Sequence, residues 1–221
     1  MQLFAIVGLP GSGKSSVSAA LAKKYGLKVV STDVVVFKEV RNNPNHPVTQ
    51  NYINTFKETY GRELDDIAEA LKSADFIKKY GNDAFRDLEE QAILHAFETG
   101  VFDNAVIDLG GSSFLRPKVQ EALKKHNVIS IYIDLPDAQI VKNLVKDFNE
   151  SVQSGVIKRS NYYALAKDAA ERGENPKEAL AAFNKTLRPV RSPAYEKAEI
   201  ILNFDKNPSL NDVIDKVERP C

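Results

Sequence analysis

The chain reads Gly8-Leu9-Pro10-Gly11-Ser12-Gly13-Lys14-Ser15 close to its start. This stretch matches the pattern G-x-x-x-x-G-K-[ST] at every position. It follows an apolar run, residues 3–7, and it opens a segment, residues 14–25, whose apolar spacing predicts a helix ended by Gly26. A strand, a glycine-rich turn and a helix in this order indicate a loop that binds phosphate groups, with a chance glycine-rich turn as the alternative.

The residue types in this loop explain how it would hold a nucleoside triphosphate. Its glycines let the backbone curl so that successive N–H groups point at phosphate oxygens, at the positive end of the following helix. Its lysine adds a full charge for the β- and γ-phosphates, and the serine after it offers a hydroxyl to Mg²⁺. We therefore expect ATP and Mg²⁺ as cofactors. The predicted nucleotide-binding residues of the loop are Gly8, Gly11, Ser12, Gly13, Lys14, Ser15 and Ser16.

Strands and helices are predicted to alternate after the loop. Apolar or β-branched runs predict five strands, at residues 3–7, 28–31, 104–109, 128–135 and 199–204. Helical periodicity lies between and after them, at residues 14–25, 83–98, 117–125, 137–149 and 211–217. Such alternation requires crossover connections, so we predict a parallel sheet covered by helices on both faces, in one α/β domain spanning residues 1–221.

Two segments interrupt this alternation. Residues 42–80 open with a cluster of Asn and Pro and continue into a helix with Leu64, Ile67 and Leu71 on one face. We predict that they form a helical insertion that serves as a substrate-binding subdomain. Residues 150–187 are polar and mostly helical, with interspersed Ser, Gly and Pro, and we expect them to form a mobile lid.

Composition excludes several classes of protein. The 221 residues carry 30 Lys and Arg against 30 Asp and Glu, so the overall basic field of many nucleic-acid-binding proteins is missing. No apolar run is long enough to cross a bilayer, and the apolar N-terminus lacks the basic flank of a secretory signal. The single cysteine, Cys221, and three scattered histidines provide neither a disulfide nor a metal cage. We expect a cytoplasmic protein with a small-molecule substrate, without nucleic-acid or membrane partners, and monomeric or weakly dimeric.

Two clusters are candidates for binding the molecule that receives a phosphoryl group. Asp33 follows the second predicted strand, at the sheet edge where open parallel sheets bind ligands, and it is placed to orient or deprotonate a hydroxyl. The alternative is a helix N-cap before residues 34–40. Arg86 lies in the first turn of a predicted helix, where the helix dipole disfavours a cation, so we expect it to bind an anion such as a carboxylate. A pair with Glu89 or Glu90 is the alternative for Arg86.

A third cluster ends the third predicted strand. Gly110 and Gly111 indicate that a ligand approaches the backbone closely, with a tight turn as the alternative. Asp108 closes an apolar run, residues 105–107, as an acid that holds a magnesium-bound water does. A salt-bridged acid at the strand end is the alternative for Asp108.

Taken in order, these motifs resemble the shikimate kinase family of P-loop small-molecule kinases. The matching elements are the phosphate loop, Ser31-Thr32-Asp33, residues 85–90, residues 109–112 and residues 191–198, the last of which fits the family's R-x-P-x-Y-x-x-x-A. They span nearly the whole chain. The resemblance implies the nucleoside-monophosphate-kinase type of fold, with the strand order 2-3-1-4-5.

The resemblance also implies roles for acceptor-side residues. Asp33 would contact the hydroxyls of the acceptor and act in catalysis. Arg86 and Arg191 would hold the carboxylate of the acceptor, and Gly110 and Gly111 would line the same site.

Three further cations receive nucleotide-side or catalytic roles from the resemblance. Lys146 falls where the family stacks an arginine on adenine. Lys158 or Arg159 would be the lid cation that meets the transferring phosphoryl group, and we take Arg159 with Lys14 as the catalytic candidates.

The departures from the family fall on the acceptor side and the lid. The family's Asp-x-Asp is Ser31-Thr32-Asp33 here, so the first acid, which helps place magnesium, is absent, and Asp108 with Ser15 is the predicted metal pair. Three consecutive glycines are reduced to Gly110-Gly111-Ser112, the segment between Asp33 and Arg86 is longer, and the lid lacks the Arg-Pro-Leu-Leu run. This pattern suggests a relative whose substrate has changed.

The leading functional hypothesis is ATP-dependent phosphoryl transfer to a hydroxyl of a small carboxylated metabolite. Shikimate is the expected acceptor and shikimate 3-phosphate the expected product. The alternatives are a gluconate- or nucleotide-kinase-like activity, and a nucleotide-binding module without phosphoryl transfer. Loss of the first acid favours the module, whereas retention of Asp33, Arg86 and Arg191 favours a kinase.

Overall fold

Strands and helices alternate along the computed structural model, which describes residues 2–64, 76–157, 160–206 and 209–218. The strands are β1 (Leu3–Val7), β2 (Lys28–Ser31), β3 (Ala105–Asp108), β4 (Val128–Asp134) and β5 (Ile200–Asn203). The helices are α1 (Lys14–Tyr25), α2 (Thr32–Val34), α3 (Pro47–Tyr60), α4 (Phe76–Tyr80), α5 (Asn82–Glu98), α6 (Pro117–Lys125), α7 (Asp137–Ser154), α8 (Ser160–Glu171), α9 (Pro176–Tyr195) and α10 (Leu210–Glu218). A π-helical segment, Val35–Arg41, follows α2, and a 3₁₀ turn, Ser113–Leu115, precedes α6.

The five strands form one sheet in the order β2-β3-β1-β4-β5. Strands β2 and β3 pair in parallel with Ser31 beside Asp108, and β4 and β5 pair in parallel with Asp134 beside Asn203. The central strands are nearly continuous apolar runs because helices cover both faces of a parallel sheet. In β3, for example, Ala105, Val106 and Ile107 are fully buried. The predicted P-loop α/β fold class and its strand order are confirmed.

Contacts divide the chain into two compact units. The first unit is Met1–Ala5 with Leu21–Ile129, and the second is Ile6–Ala20 with Ser130–Cys221. The predicted insertion at 42–80 falls in the first unit and contains α3 and α4, and the predicted lid at 150–187 falls in the second. Four predicted features lie outside the described residues, namely Ile67 and Leu71 of the insertion and the cations Lys158 and Arg159.

An aromatic cluster joins helices α3 and α4 in the first unit. Tyr52 and Phe56 of α3 are buried against Phe76 and Tyr80 of α4, with ring centroids 5.1–6.5 Å apart for the contacting pairs. The Tyr52 hydroxyl donates a hydrogen bond to the Ala84 carbonyl oxygen of α5 at 2.5 Å. Because Ala84 lies in the first turn of α5, this cluster fixes the start of the helix that carries Arg86.

Helix α7 of the second unit is longer than the sequence predicts. We expected it to end at Asn149, whereas it continues to Ser154 and ends at Gly155, whose φ is +70°. The Ser151 and Ser154 hydroxyls donate to the carbonyl oxygens four residues earlier, both at 2.7 Å, so these serines stay within the helix instead of ending it. The first residues of the predicted lid therefore belong to α7.

We expect Tyr52→Phe to destabilise the protein, because it keeps the buried ring and leaves the Ala84 carbonyl oxygen without its donor. Removing one partner of a buried hydrogen bond costs about 1–2 kcal/mol. Urea unfolding followed by circular dichroism measures this loss. Tyr163→Phe is the matched control, since Tyr163 is only partly buried and packs its ring on Phe148. An equal loss of stability in both variants would contradict the assignment.

Candidate functional site

The phosphate loop, residues 8–15, adopts the conformation that its glycines predict. Gly8, Gly11 and Gly13 have φ values of +152°, +86° and +87°. The ammonium of Lys14 donates to the carbonyl oxygens of Gly8 at 3.0 Å and Leu9 at 3.4 Å. The lysine therefore lies over its own loop, where its charge faces the position that the predicted phosphate groups would take.

Close packing explains why two of these positions are glycine. A Cβ atom on Gly8 would lie 2.8 Å from the carbonyl oxygen of Ile133, the residue before the end of β4. A Cβ atom on Gly11 would lie 3.1 Å from the carbonyl oxygen of Ile140 and 3.1 Å from the Leu144 side chain, both in α7. The loop thus packs tightly against β4 and α7, and any side chain at Gly8 would clash with β4 and displace the loop from it.

Ser12 fits a bound phosphate group. Its side chain is fully buried, and its hydroxyl has no hydrogen-bond partner among the described residues. A buried hydroxyl without a partner is costly, and a phosphate oxygen accepts hydrogen bonds readily. The residues present in the loop therefore fit the nucleotide that the sequence motif predicts.

Helix α7 supports the phosphate loop through a relay that the sequence did not reveal. Asn143 donates through Nδ2 to the Gly11 carbonyl oxygen at 2.7 Å. Gln139, one turn earlier, donates through Nε2 to Oδ1 of Asn143 at 3.0 Å. The i, i+4 spacing of these two amides on a predicted helix was the only available signal, and such pairs are common on ordinary surface helices.

Asp33 does not cap a helix. Ser31 occupies the N-cap position of α2, without a side-chain cap hydrogen bond, and Asp33 lies in the first turn of that helix. The N-cap alternative for Asp33 is therefore wrong. A carboxylate in the first turn of a helix is favoured by the helix dipole.

Gly110 lies at the centre of the acceptor wall, which we define as Asp33, Arg86, Glu89 and Gly110. A Cβ atom on Gly110 would meet Glu89 Oε1 at 2.9 Å and Asp33 Oδ1 at 3.3 Å. The backbone N–H of Gly110 donates to the Thr32 hydroxyl oxygen at 2.8 Å, which ties the end of β3 to the end of β2. The absence of a side chain at Gly110 is what allows the two carboxylates to approach the same point.

Arg86 lies in the second turn of α5, because the helix begins at Asn82, one residue before the predicted start at residue 83. The argument from an unfavourable first-turn dipole is therefore wrong. The predicted alternative is confirmed, since Arg86 Nη1 donates to Glu89 Oε2 at 2.8 Å. The Nε atom of Arg86 is buried and has no partner among the described residues. The guanidinium is thus held by one carboxylate and retains a buried donor.

Glu89 is the member of the acceptor wall that the sequence analysis did not select. Only 2% of its side chain is exposed. Burial raises the pKa of the Glu89 carboxyl, Arg86 opposes this rise, and the charge of Asp33 adds to it. The i, i+3 spacing of Arg86 and Glu89 was visible, but spacing alone does not distinguish an exposed surface pair from a buried one.

Asp108 stands beside the position where the family's first acid is missing. It ends β3 and is the register partner of Ser31, which ends β2. Register partners in a parallel pair lie side by side and their side chains point to the same face of the sheet. Asp108 is partly buried, and its carboxylate oxygens are of the kind that Mg²⁺ prefers.

The remaining predicted residues occupy separate elements. Gly111 is partly exposed and follows Gly110. Arg191 is partly buried in α9 of the second unit and hydrogen-bonds Tyr195. Burial raises the pKa of Tyr195 to about 12, and the nearby charge and hydrogen bond of Arg191 oppose this rise. Lys146 is on α7 with 73% of its side chain exposed, and it lies 3.7 Å from Glu150.

Two kinds of feature are absent from the described part of the chain. Within residues 2–64, 76–157, 160–206 and 209–218, no group of three or more His, Cys, Asp or Glu side chains is arranged to hold a metal ion. Over the same ranges, no helix combines the length and the apolar character needed to cross a bilayer.

Comparison with protein families gives two matches. A family model described as shikimate kinase matches residues 62–206, and a model described as AAA domain matches residues 3–77. The first match covers the acceptor wall apart from Asp33, and the second covers the phosphate loop.

Curated relatives agree with the first match. A shikimate kinase of Rhodococcus jostii is 28% identical over 162 residues, which are 73% of this chain and 76% of that protein. A shikimate kinase of Mycobacterium tuberculosis is 27% identical over 160 residues, which are 72% of each chain.

Solved structures support the fold. Shikimate kinase from Acinetobacter baumannii in complex with shikimate has a TM-score of 0.57 at 18% identity, covering 99% of this chain and 92% of that one. Shikimate kinase from Bacteroides thetaiotaomicron has a TM-score of 0.55 at 17% identity, covering 99% of this chain and 95% of that one. The family match extends over more than half of the sequence, and the chain therefore belongs to the shikimate kinase family and is an ATP-dependent small-molecule kinase.

Proposed function

We propose that this kinase transfers the γ-phosphoryl group of ATP to a hydroxyl of shikimate, giving ADP and shikimate 3-phosphate. The acceptor wall is the observation that carries the proposal. It offers a carboxylate for a hydroxyl at Asp33, which lies close to the bare backbone of Gly110. It also offers a guanidinium for a carboxylate at Arg86, which is paired with Glu89, the other acid beside Gly110. A small hydroxy acid is the class of molecule that presents both groups.

The phosphate loop would hold the donor in this reaction. Its N–H groups and Lys14 neutralise the β- and γ-phosphates, and the buried Ser12 hydroxyl takes a phosphate oxygen as its partner. Lys14 exchanges its two loop carbonyl oxygens for phosphate oxygens when ATP binds. Ser15 supplies a hydroxyl to the metal site, and Ser16 follows it at the positive end of α1.

Asp33 would orient the acceptor hydroxyl and take its proton. The hydroxyl oxygen forms a bond to the γ-phosphorus while the bond from that phosphorus to the β–γ bridging oxygen breaks, so ADP leaves with the electron pair of that bond. Glu89 would hold the Arg86 guanidinium through their ion pair. The Nε atom of Arg86, which has no partner among the described residues, would donate to the acceptor carboxylate.

The metal site would use an acid on a different strand from the family's usual one. Mg²⁺, when bound, supplies charge neutralisation for the phosphates. Asp108 would hold a water of this ion from the end of β3, in place of the acid missing at Ser31 on the neighbouring strand. Ser15 would bind the ion through its hydroxyl in this proposal.

The remaining assignments complete the proposed site. Arg191 would share the carboxylate of the acceptor with Arg86, Gly111 would line the acceptor site, and Lys146 would lie against the adenine. Residues 42–80 would form the acceptor-binding insertion and residues 150–187 the lid, with Arg159 as the lid cation that meets the transferring phosphoryl group.

We expect Arg86→Ala to raise the KM for shikimate at least roughly 100-fold, because a buried charged partner of the acceptor carboxylate is lost. The KM for ATP should change less than about threefold, since the phosphate loop is untouched. ADP release with shikimate, quinate, gluconate and nucleoside monophosphates as acceptors measures both constants and tests the alternative substrates together.

Arg116→Ala is the matched control for this measurement. Arg116 also pairs with acids of α5, donating to Asp87 at 2.5 Å and Glu90 at 2.9 Å, but it is not part of the acceptor wall. It should lose stability without a change in the KM for shikimate. ATP binding without acceptor-stimulated ADP release for any of these compounds would rule out the proposed transfer, and stimulation by gluconate alone would replace shikimate as the substrate.

We expect Asp108→Asn to raise the Mg²⁺ concentration needed for half-maximal activity by about tenfold or more, because the acid that holds a magnesium-bound water becomes neutral. Adding Ser31→Asp to the Asp108→Asn variant should lower this Mg²⁺ concentration again, since residue 31 lies beside residue 108 in the sheet register. Titration of activity with Mg²⁺ at saturating ATP and shikimate measures the effect.

Asp215→Asn provides the control for charge, because Asp215 is an exposed acid on the last helix. It should leave the Mg²⁺ requirement unchanged. An unchanged requirement in Asp108→Asn would refute the role of Asp108, and a requirement that Ser31→Asp does not lower would refute the exchange of acids between strands.

A further inference from the structure

Arg188 of α9 binds three groups in a single turn of the second unit. Its Nη1 donates to Asp134 Oδ1 at 2.8 Å, its Nε donates to Asp137 Oδ1 at 2.5 Å, and its Nη2 donates to the Leu135 carbonyl oxygen. Each of the three nitrogens of the guanidinium therefore has its own acceptor. Only about a quarter of the arginine side chain is exposed, so this is not a loose surface pair.

These three acceptors belong to the turn that joins β4 to α7. Asp134 is the last residue of β4 and Asp137 is the first residue of α7. The buried Asn184, one turn before Arg188 in α9, also donates to Asp137 Oδ1, at 2.8 Å. Helix α9 thus fixes the angle at which α7 leaves the strand.

Both ends of the same turn support the phosphate loop. On the strand side, the Ile133 carbonyl oxygen packs against Gly8, next to the residue that Arg188 binds. On the helix side, Ile140 and Asn143 contact Gly11. A change in the turn between Ile133 and Ile140 would shift one wall of the loop relative to the other, and the loop tolerates little change because its contacts are close.

We infer that Arg188 is a positioning residue of the kinase reaction, which sets the shape of the phosphate loop for ATP through the β4–α7 turn. The inference rests on the proposed role of the phosphate loop in binding ATP. It assigns Arg188 no contact with nucleotide or acceptor, because all three of its nitrogens are engaged by the turn. Arg191 lies one turn after Arg188 in α9, the helix that Arg188 joins to this turn.

The test compares the steady-state constants of Arg188→Ala and Arg188→Lys with those of the unmodified enzyme. Arg188→Ala should raise the KM for ATP about tenfold, while kcat at saturating ATP falls less than about threefold. The KM for ATP of Arg188→Lys should lie between those of Arg188→Ala and the unmodified enzyme, because a single ammonium cannot reach three separate acceptors as a guanidinium does. The dissociation constant of ADP, measured by calorimetry without acceptor, should rise in parallel.

A merely structural role predicts a different result. Partial unfolding lowers the concentration of active enzyme and so lowers the apparent kcat, but it leaves the KM of the folded molecules unchanged. Arg116→Ala is the control, since Arg116 likewise joins two carboxylates but belongs to the first unit. It should reduce thermal stability and leave the KM for ATP within about twofold.

Lys14→Ala separates the inference from the proposal on which it rests. If Lys14→Ala keeps its affinity for ADP, the proposed role of the phosphate loop fails. If Lys14→Ala loses affinity but both Arg188 variants keep the KM for ATP within about twofold, the loop proposal stands and the positioning role of Arg188 is refuted. Loss of ATP affinity in Lys14→Ala and in both Arg188 variants, but not in Arg116→Ala, supports both.

Discussion

The close contact of the phosphate loop with β4 and α7 is the constraint on which the rest of the second unit depends. Gly8 and Gly11 have left-handed backbone angles, and backbone carbonyl oxygens occupy the space next to their Cα atoms. Such contacts leave the loop little freedom, so its shape is decided by where β4 ends and how α7 begins. The hydrogen bond of Asn143 and those of Arg188 both hold β4 and α7 in the positions that shape the loop.

A different balance of forces governs the acceptor wall in the first unit. Two carboxylates, Asp33 and Glu89, lie close to Gly110, and Glu89 is almost fully buried. Burial of a carboxylate is costly unless a charged partner is present, and Arg86 is that partner. The arginine is therefore both a structural requirement of Glu89 and a candidate ligand for an anionic acceptor. The buried Nε atom of Arg86, which has no partner among the described residues, is consistent with this second role.

The proposed replacement of an acid at Ser31 by Asp108 rests on the register of two adjacent strands. Parallel register brings the two side chains to the same face at the same edge of the sheet, so an acid on either strand serves one region. Judged by motif alone, the chain has lost an acid on β2. Judged by register, it has an acid at the neighbouring position on β3.

Much of the fold was determined by the sequence itself, because hydrophobic periodicity and glycine placement are local properties. The five strands, the helices around them, the phosphate loop and the Arg86–Glu89 spacing could all be predicted from short windows. The sequence did not reveal the burial of Glu89, the position of Asp33 inside α2 or the three acceptors of Arg188. The acceptors of Arg188, which are Asp134, Leu135 and Asp137, lie 51 to 54 positions away from it in the sequence. The other features depend on which side of a helix faces the core. Only tertiary packing decides them, since burial and long-range hydrogen bonds arise when separate segments meet.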